Sequence, residues 1–166
     1  NDAAGVIPRL TDMGVEPFLV GSSVIGIMAQ RLVRTLCKKC REAYTPSKEE
    51  IREVGLLESA MYKPDAEGNP PVIYKAVGCP ACYNWGYSGR IAIFELMVVD
   101  DDVRTMILRN EPATEVKRRA VEKGMITLRE DGNRIILEGT TTIEEVLRVT
   151  RDVVMEQEID IAPTAK

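Results

Sequence analysis

Two short motifs, Cys37-Lys-Lys-Cys40 and Cys79-Pro-Ala-Cys82, decide how this chain folds. Together they contain all four cysteines of its 166 residues. A C-x-x-C turn directs two sulfur atoms towards one point, so two such turns predict a tetrahedral set of thiolates that binds Zn²⁺. Gly78 and Pro80 suit the tight turn of the second motif.

The same four thiolates could also hold iron, as in a rubredoxin-like centre, while a disulfide pair or free thiols are the metal-free alternatives. A zinc ion would have a structural role, because four thiolates leave no open coordination position for a substrate. Lys38, Lys39 and Arg41 flank the first motif. Their charges are expected to lower the thiol pKa values and to offset the negative charge of a zinc tetrathiolate.

The composition is that of an ordinary soluble globular protein, with 45% hydrophobic residues, 29% charged residues and a net charge of -4. The negative charge argues against nucleic acid as the main partner, and no apolar stretch is long enough for a transmembrane segment. Reduced cysteines without a targeting segment indicate a cytoplasmic protein. The chain has no histidine, no G-x-x-x-x-G-K-[ST] phosphate loop and no G-x-G-x-x-G turn. It therefore carries no recognisable catalytic apparatus of its own.

Three elements are predicted ahead of the first cysteine. Residues 7–13 have apolar side chains at helical spacing and are expected to form a short helix. Residues 15–20 are expected to be extended. Residues 25–36 again show helical spacing, which predicts a second helix capped by Ser22 or Ser23.

The rest of the chain predicts strands followed by helices. Ser47-Lys-Glu-Glu50 is a capping box that opens a short helix. Residues 72–77 and the run Ile91–Val99 are predicted strands, and the side chains of the second alternate between two faces. Beyond this run the pattern is helical, with predicted helix starts at the following residues: Asp100, Pro112 or Thr114, Thr127 and Thr142. The expected fold class is therefore mixed α/β, locally α+β.

Four stretches of this chain are similar to the C-terminal region of the ATPases of type II secretion and type IV pilus assembly. They are Gln30-Arg-Leu-Val-Arg-Thr-Leu-Cys37, Gly78-Cys-Pro-Ala-Cys82, Gly86-Tyr-Ser-Gly-Arg-Ile-Ala-Ile-Phe-Glu95 and Gly139-Thr-Thr-Thr-Ile-Glu-Glu-Val-Leu-Arg-Val-Thr150. The resemblance runs from Asn1 to about Asp152. The four cysteines combined with G-Y-x-G-R resemble the assembly motors rather than their retraction-type relatives.

The resemblance implies that this chain is the C-terminal part of a hexameric ATPase. The phosphate loop, the acidic motifs and the catalytic histidine would lie upstream, so ATP and Mg²⁺ would be bound mainly by residues outside this chain. Residues 1–36 would be the end of a RecA-like P-loop ATPase domain, and residues 37–99 a four-cysteine zinc-binding segment with β-strands. Residues 100–155 would be a small all-α C-terminal subdomain. Residues 156–166 show no pattern and are expected to be a flexible tail.

The family also implies partners and a location. The motor would be a homo-hexamer that acts on an inner-membrane platform protein, peripheral to that membrane on its cytoplasmic side. ATP hydrolysis would power either pilus assembly or protein secretion, which this resemblance does not distinguish. The zinc site would serve as a rigid strut, because metal binding contributes folding free energy to a segment with little core of its own.

Outside the cysteines, three arginines are candidate functional residues. Arg90 follows the glycine turn of G-Y-x-G-R, where the resemblance suggests a contact to a neighbouring subunit or to phosphate; a solvated surface arginine is the alternative. Arg31 and Arg34 could approach the nucleotide, or they could solvate the face of a helix. The aromatic residues near the second motif are expected to cover a small core beside the metal rather than to form a stacking platform: Tyr83, Trp85 and Tyr87.

Two other functions compete with this interpretation. Double C-x-x-C motifs also occur in stand-alone zinc-ribbon adaptors that bind nucleic acid or protein, although an acidic chain without a basic stripe disfavours nucleic acid. An independent enzyme that uses the metal is disfavoured, because a site of four cysteines is closed.

Overall fold

The computed structural model describes residues 2–59 and 61–150. Four strands lie within this range: β1 (Gly26–Leu36), β2 (Glu42–Tyr44), β3 (Ile73–Lys75) and β4 (Tyr87–Val98). The helices are α1 (Val6–Asp12), α2 (Pro17–Ser23), α3 (Lys48–Val54), α4 (Asp101–Leu108), α5 (Ala113–Glu122), α6 (Leu128–Leu137) and α7 (143–150). The mixture of helices and strands confirms the predicted α/β class. The predicted tail, residues 156–166, lies outside the described residues.

The described residues form two compact units that interleave along the chain. The first unit contains residues 2–30 and 94–128, and the second contains residues 31–59, 61–93 and 129–150. Strands β1 and β4 pair with each other, and each runs from one unit into the other. The division predicted from the sequence, with boundaries after residues 36 and 99, follows chain order and stays a prediction.

The core of the first unit combines short helices with one end of each long strand. Its α2 packs against α4, and α4 packs against α5. Helix α1 contains Pro8 as its third residue, where the missing N–H has no partner within a helix, so this proline does not break it. Buried apolar side chains from all these elements form one cluster, which includes Ile7, Val20, Met97, Ile107 and Val116.

Two charged side chains, Glu95 and Lys117, are buried in the first unit, and both form hydrogen bonds with residues 2–3. Glu95 accepts hydrogen bonds from the Ala3 N–H at 2.8 Å and from the Leu128 N–H at 3.2 Å. Lys117 donates to the Asp2 carboxylate at 2.7 Å. Burial opposes ionisation of Asp2, but Lys117 and the Gly5 N–H outweigh it and lower the pKa of this carboxyl group. These contacts satisfy charges that would be costly to bury alone.

The secondary structure predicted between residue 15 and Cys37 is wrong. Residues 17–23 form α2, with Pro17 at its first position, where the fixed φ angle of proline suits a helix. Residues 26–36 form β1 and not the predicted helix. Ser22 and Ser23, the predicted caps of that helix, are the last two residues of α2. Short apolar runs fit both periods, and here pairing with β4 decides the outcome.

The predictions for the other elements are confirmed. In β4, Ile93, Glu95 and Met97 are buried, whereas the residues that alternate with them are exposed. Helix α3 begins at the predicted capping box: the Ser47 Oγ accepts from the Glu50 N–H, and the Glu50 carboxylate accepts from the Ser47 N–H. The four helices after residue 99 begin beside the predicted residues.

The second unit has its own apolar core and a small antiparallel sheet. Strands β2 and β3 pair in the register Glu42 to Lys75 and Tyr44 to Ile73. Ile73 packs with side chains of α3, α6 and α7, which include Ile51, Ile136 and Val146. Within the described part of the chain, no helix is both long and apolar enough to cross a membrane.

Candidate metal centre

The first cysteine motif forms a tight turn directly after β1. The Cys40 N–H and the Arg41 N–H both donate to the Cys37 carbonyl, at 3.2 and 3.0 Å. The Cys37 N–H donates to the Gly86 carbonyl at 2.9 Å. The long strand therefore delivers the first pair of thiols to the segment that carries the second pair.

The second motif lies in a compact loop that we call the cysteine knuckle (residues 76–90). Pro80–Cys82 forms a single 3₁₀ turn, and the Asn84 N–H donates to the Cys79 carbonyl at 2.9 Å. Gly78 has a φ angle of +116°, and a Cβ atom there would lie 2.7 Å from the Asn84 carbonyl oxygen. Only glycine fits this position, because any side chain would clash with the backbone of the turn.

The four Sγ atoms converge on one point, within 4.8 Å of one another. Cys37 and Cys79 are separated by 4.0 Å between Sγ atoms, and both Cys40 and Cys79 lie 3.8 Å from Cys82. Zn–S bonds of about 2.3 Å in a tetrahedron would place the sulfur atoms about 3.8 Å apart. A disulfide would need about 2.05 Å, so these residues fit a metal tetrathiolate and are not paired as disulfides.

The surroundings of Cys82 favour its thiolate form, whereas those of Cys40 oppose it. Burial opposes ionisation of Cys82, but N–H groups of Cys79 and Gly86 point at its Sγ, each at 3.3 Å, and the pKa of Cys82 falls to about 6. Burial and the three neighbouring thiols raise the pKa of Cys40 to about 12. A bound cation would relieve this repulsion, because it stabilises all four thiolates together.

The predicted role of the flanking basic residues is not what the structure shows. The pKa of Cys82 is lowered by the N–H groups of Cys79 and Gly86 and by hydrogen bonds from the thiols of Cys40 and Cys79, not by a nearby cation. The guanidinium of Arg41 lies 4.2 Å from the centre of the Tyr74 ring and donates to the Gly139 carbonyl. Arg41 therefore joins β3 to the end of α6, away from any role in activating the thiols.

The aromatic residues of the knuckle do not cover a core, contrary to the prediction. Tyr83 and Trp85 are 86% and 71% exposed. Tyr83 and Asn84 have positive φ angles of 53° and 59°, which is uncommon for residues other than glycine. Only Tyr87 is half-buried, and its hydroxyl group hydrogen-bonds with Thr142 Oγ1 at 3.0 Å.

The three candidate arginines have different surroundings. Residues three apart on a strand point to opposite faces, so the shared helical face expected for Arg31 and Arg34 does not exist. Arg31 is half-buried in β1. Arg34 stacks over the Tyr87 ring, 4.1 Å from its centre, and Arg90 is exposed in β4. The structure places Arg34 and Arg90 beside the same cavity near Cys82.

Sequence reasoning missed the role of Glu145, a buried carboxylate in α7. It accepts from the Arg34 N–H at 2.9 Å and from the Arg34 guanidinium at 2.6 Å, and Arg148 donates to both of its oxygens. Burial opposes ionisation, but the two arginines lower the pKa of Glu145 to about 2. The sequence predicted a helix start at Thr142. Thr142 Oγ1 does accept from the Glu145 N–H, but the carboxylate turns to Arg34 instead.

The sequence was then compared with known proteins. The type II secretion system protein E of Pseudomonas aeruginosa is 45% identical over 152 residues, which are 92% of this chain and 28% of that protein. The type IV pilus assembly ATPase PilB of Thermus thermophilus is 48% identical over 150 residues, 90% of this chain and 16% of that protein. The type II secretion system ATPase E of Vibrio cholerae is 40% identical over 152 residues, 92% of this chain and 28% of that protein.

This chain therefore spans less than a third of the length of each of these curated relatives. Its residues 1–148 match the family described as Type II/IV secretion system protein. That match covers both cysteine motifs, the glycine turn before Arg90 and Glu145. On this match, the chain belongs to the Type II/IV secretion system protein family.

Proposed function

We infer that this chain is the C-terminal portion of an ATPase that powers type II protein secretion or type IV pilus assembly. The observation that carries this proposal is a set of four thiols at tetrathiolate spacing in a chain whose family match spans residues 1–148. The relatives support it, since two are named as ATPases of these systems. No phosphate-loop motif occurs in the 166 residues, so ATP and Mg²⁺ would be bound mainly elsewhere.

The metal has a structural role in this proposal. Cys37, Cys40, Cys79 and Cys82 would hold Zn²⁺, which supplies four bonds to thiolates and no open position for chemistry. Only Cys82 and Gly86 are buried among residues 76–90. A segment with so little apolar core needs another source of folding free energy, and metal binding supplies it. Iron has the same ligand preference, so the test below measures which metal is bound.

The first unit supplies the end of a RecA-like domain in this proposal. The long strands expose several apolar side chains there, including Met28, Leu96 and Val98, which are 60%, 56% and 62% exposed. Strand residues of this kind suit packing against further layers of a larger α/β domain. The helices that follow β4 then form the C-terminal part.

Arg90 is the best placed of the three arginines for a contact to a neighbouring subunit or to phosphate. Its guanidinium has no hydrogen-bond or ion-pair partner in residues 2–59 and 61–150, whereas Arg34 is already paired with Glu145. The assembled motor would be a homo-hexamer. It would act on an inner-membrane platform protein from the cytoplasmic side.

The family match favours this function over the zinc-ribbon adaptor. The hypothesis of an adaptor was based on the two cysteine motifs alone, whereas the family match includes residues of both units. The net charge of -4 also remains unfavourable for nucleic acid.

The test uses the full-length protein that contains this chain. Cys79→Ser removes one of the four proposed ligands. We expect the variant to lose its bound metal, measured by elemental mass spectrometry. We also expect it to lose ATP hydrolysis and pilus assembly or secretion. Lys38→Ser is the matched control, because residue 38 is exposed, lies between two ligands and leaves all four thiols in place.

A Cys79→Ser protein that is metal-free, equally stable and fully active would contradict the structural role of the metal. A metal-loaded native protein that neither hydrolyses ATP nor supports either system would contradict the ATPase assignment. Which of the two systems fails in the variant identifies the one that this motor serves.

A further inference from the structure

The backbone of the second unit brings the two cysteine motifs together on both sides. Strands β2 and β3 pair with Glu42 opposite Lys75, so this pair lies two residues after the first motif and four residues before the second. On the other side, the Cys37 N–H donates to the Gly86 carbonyl at 2.9 Å. These contacts are made by the backbone alone. The two motifs therefore face each other through bonds that do not involve a metal.

The sulfur atoms of the two motifs are in contact in pairs. Four cysteines can be joined as two disulfides in three ways. One of these ways joins Cys37 to Cys79 and Cys40 to Cys82, and the Sγ atoms of these pairs lie 4.0 and 3.8 Å apart. Formation of a disulfide bond then needs the two sulfur atoms to approach by about 2 Å. Both of these pairs connect one motif with the other.

The other two ways of joining the cysteines suit the structure less well. Bonds within each motif could use the contact of 3.8 Å between Cys79 and Cys82. They would also have to join Cys37 to Cys40, and each of these thiols has a sulfur contact in the other motif. The third way joins the two buried thiols, Cys37 and Cys82, to each other, where an oxidant from solvent has the least access.

Each pair between the motifs combines a half-buried thiol with a buried one. Cys40 and Cys79 are half-buried, whereas their neighbours Cys82 and Cys37 are buried. An oxidant from solvent can convert a half-buried sulfur to sulfenic acid, and the adjacent sulfur can attack it to close a disulfide. The four thiols are therefore arranged as two pairs of a reactive sulfur and a resolving sulfur.

We propose that the four cysteines are an oxidative modification site, at which hydrogen peroxide converts the metal-bound thiolates into the disulfides Cys37–Cys79 and Cys40–Cys82. In each pair, two thiolates give two electrons to one peroxide molecule, which takes two protons from solvent and becomes two water molecules. The S–S bond forms as both sulfur atoms detach from the metal. Reduction by a dithiol returns the four thiols and allows the metal to bind again.

The two disulfides hold the knuckle in place after the metal has left. Each joins residues that are 42 positions apart, and a covalent link between distant residues restricts the unfolded chain. The knuckle has little apolar core of its own, so the reduced metal-free protein loses this segment. The oxidised metal-free protein keeps it attached to the first motif. This inference rests on the metal site of the proposed function and is independent of ATP hydrolysis.

Trypsin distinguishes the possible pairings, because Lys38 and Lys39 separate the two cysteines of the first motif. Cleavage places Cys37 in residues 35–38, Cys40 in residues 40–41, and both other cysteines in residues 76–90. The zinc-loaded full-length protein that contains this chain is treated with two molecules of hydrogen peroxide per site and digested without reductant. We expect release of the zinc and one species that contains all three peptides.

Fragmentation of that species between Cys79 and Cys82 should show residues 35–38 attached to Cys79 and residues 40–41 attached to Cys82. Peroxide that has been destroyed with catalase beforehand is the control and should release no zinc. A protein that binds zinc and forms these disulfides without ATPase activity would contradict the proposed function and leave the present inference intact.

Hydrogen exchange at Asn84 and Trp85, whose N–H groups bond within the knuckle, measures the structural effect of the disulfides. We expect slow exchange in the oxidised metal-free protein and fast exchange after a reductant is added without zinc. Two double variants sharpen the comparison. The variant with Cys40→Ser and Cys82→Ser keeps one pair between the motifs and should be protected by oxidation. The matched control with Cys37→Ser and Cys40→Ser can close a disulfide only within the knuckle and should not be protected.

Several outcomes would overturn the proposal. Residues 35–38 joined to residues 40–41 in the digest would show that each motif closes on itself. Oxidation of the cysteines to sulfinic acids without cross-links would show that the buried thiols do not resolve the exposed ones. Cross-links that appear only as the protein concentration rises would assign them to different molecules. Equal exchange in the oxidised and the reduced metal-free proteins would show that the disulfides do not hold the knuckle.

Discussion

The first unit and the cysteine knuckle hold their shape in different ways. The first unit has a continuous apolar core, to which helices and strands both contribute, with Glu95 and Lys117 as buried charged groups. In the knuckle, only Cys82 and Gly86 are buried, and large aromatic side chains point outwards. The first unit is therefore stabilised by burial of apolar surface, whereas we expect the knuckle to depend on a metal held by its four thiols.

This difference indicates which kind of segment can expose its apolar side chains. The first unit also exposes aromatic rings, Phe18 at 68% and Phe94 at 42%, but it retains a continuous apolar core besides them. A segment fixed by metal–thiolate bonds can leave them outside, where they are available for binding. Tyr83 and Trp85 are exposed in a segment whose four thiols could hold such a metal.

Removal of the metal should have the largest effect and should separate the two regions. Structural zinc contributes about 10–16 kcal/mol in small zinc-binding domains, so a chelator should unfold residues 76–90. We expect hydrogen exchange to accelerate at Asn84, Trp85 and Gly86, whose N–H groups bond within the knuckle. Exchange in α4 and α5 should be unchanged.

Zinc-saturated chelator provides the control for that experiment, and re-addition of zinc should restore protection. Unchanged hydrogen exchange at these three residues after complete metal loss would show that the knuckle does not depend on a metal for its structure.

A cavity in the first unit should have the next largest effect and should not release metal. Ile107 is 2% exposed in α4, and Ile107→Ala should lower the free energy of unfolding by about 3 kcal/mol. Leu108→Ala is the matched control, since the neighbouring side chain is 52% exposed. Urea unfolding combined with metal analysis checks both parts. Metal loss in Ile107→Ala would show that the knuckle depends on the first unit's core.

The ionic contacts of α7 should contribute less than an apolar core residue. Glu145→Gln leaves Arg34 and Arg148 without their carboxylate, but both arginines are partly exposed. We expect a loss of about 2 kcal/mol at neutral pH. Glu144→Gln is the control, because that neighbouring side chain is exposed. A loss equal to that of the control would mean that Glu145 is not an anchor of the second unit.

The contribution of Glu145 to the free energy of unfolding should depend on pH. The folded pKa of Glu145 is about 2, below the ordinary value of 4.5, so its contribution is complete above about pH 4.5 and is lost as the pH falls towards 2. The difference in unfolding free energy between the native chain and Glu145→Gln should therefore shrink across that window. Comparing two proteins at each pH cancels the effect of acid on the thiolates. A constant difference down to pH 2 would exclude ionised Glu145 as its source.

The smallest expected effect is local to α3. Ser47→Ala removes the side chain that accepts from the Glu50 N–H, and loss of such a cap costs about 1 kcal/mol. Lys48→Ala keeps the cap and serves as the control. Metal content should not change in either variant. A Ser47→Ala protein as stable as the control would show that water replaces the cap without loss.

Local patterns in the sequence were sufficient for the four thiols that could hold a metal and for most helix starts. A C-x-x-C turn brings two thiols together within four residues, and the helix caps at Ser47 and Asp100 use bonds to residues three positions away. The alternation in β4 was also readable, because its period of two persists over many residues. These features depend on neighbours along the chain.

The sequence by itself determined which residues can bind a metal, where α3 and the later helices begin, and that the side chains of β4 alternate between two faces. Only the tertiary structure decided that residues 26–36 are a strand, that Glu145 binds Arg34 111 positions away, and that Trp85 faces solvent. The physical reason is the range of the interactions. Caps and turns are satisfied within a few residues, whereas strand pairing, burial of a carboxylate and exposure of a ring depend on segments that are distant in the sequence.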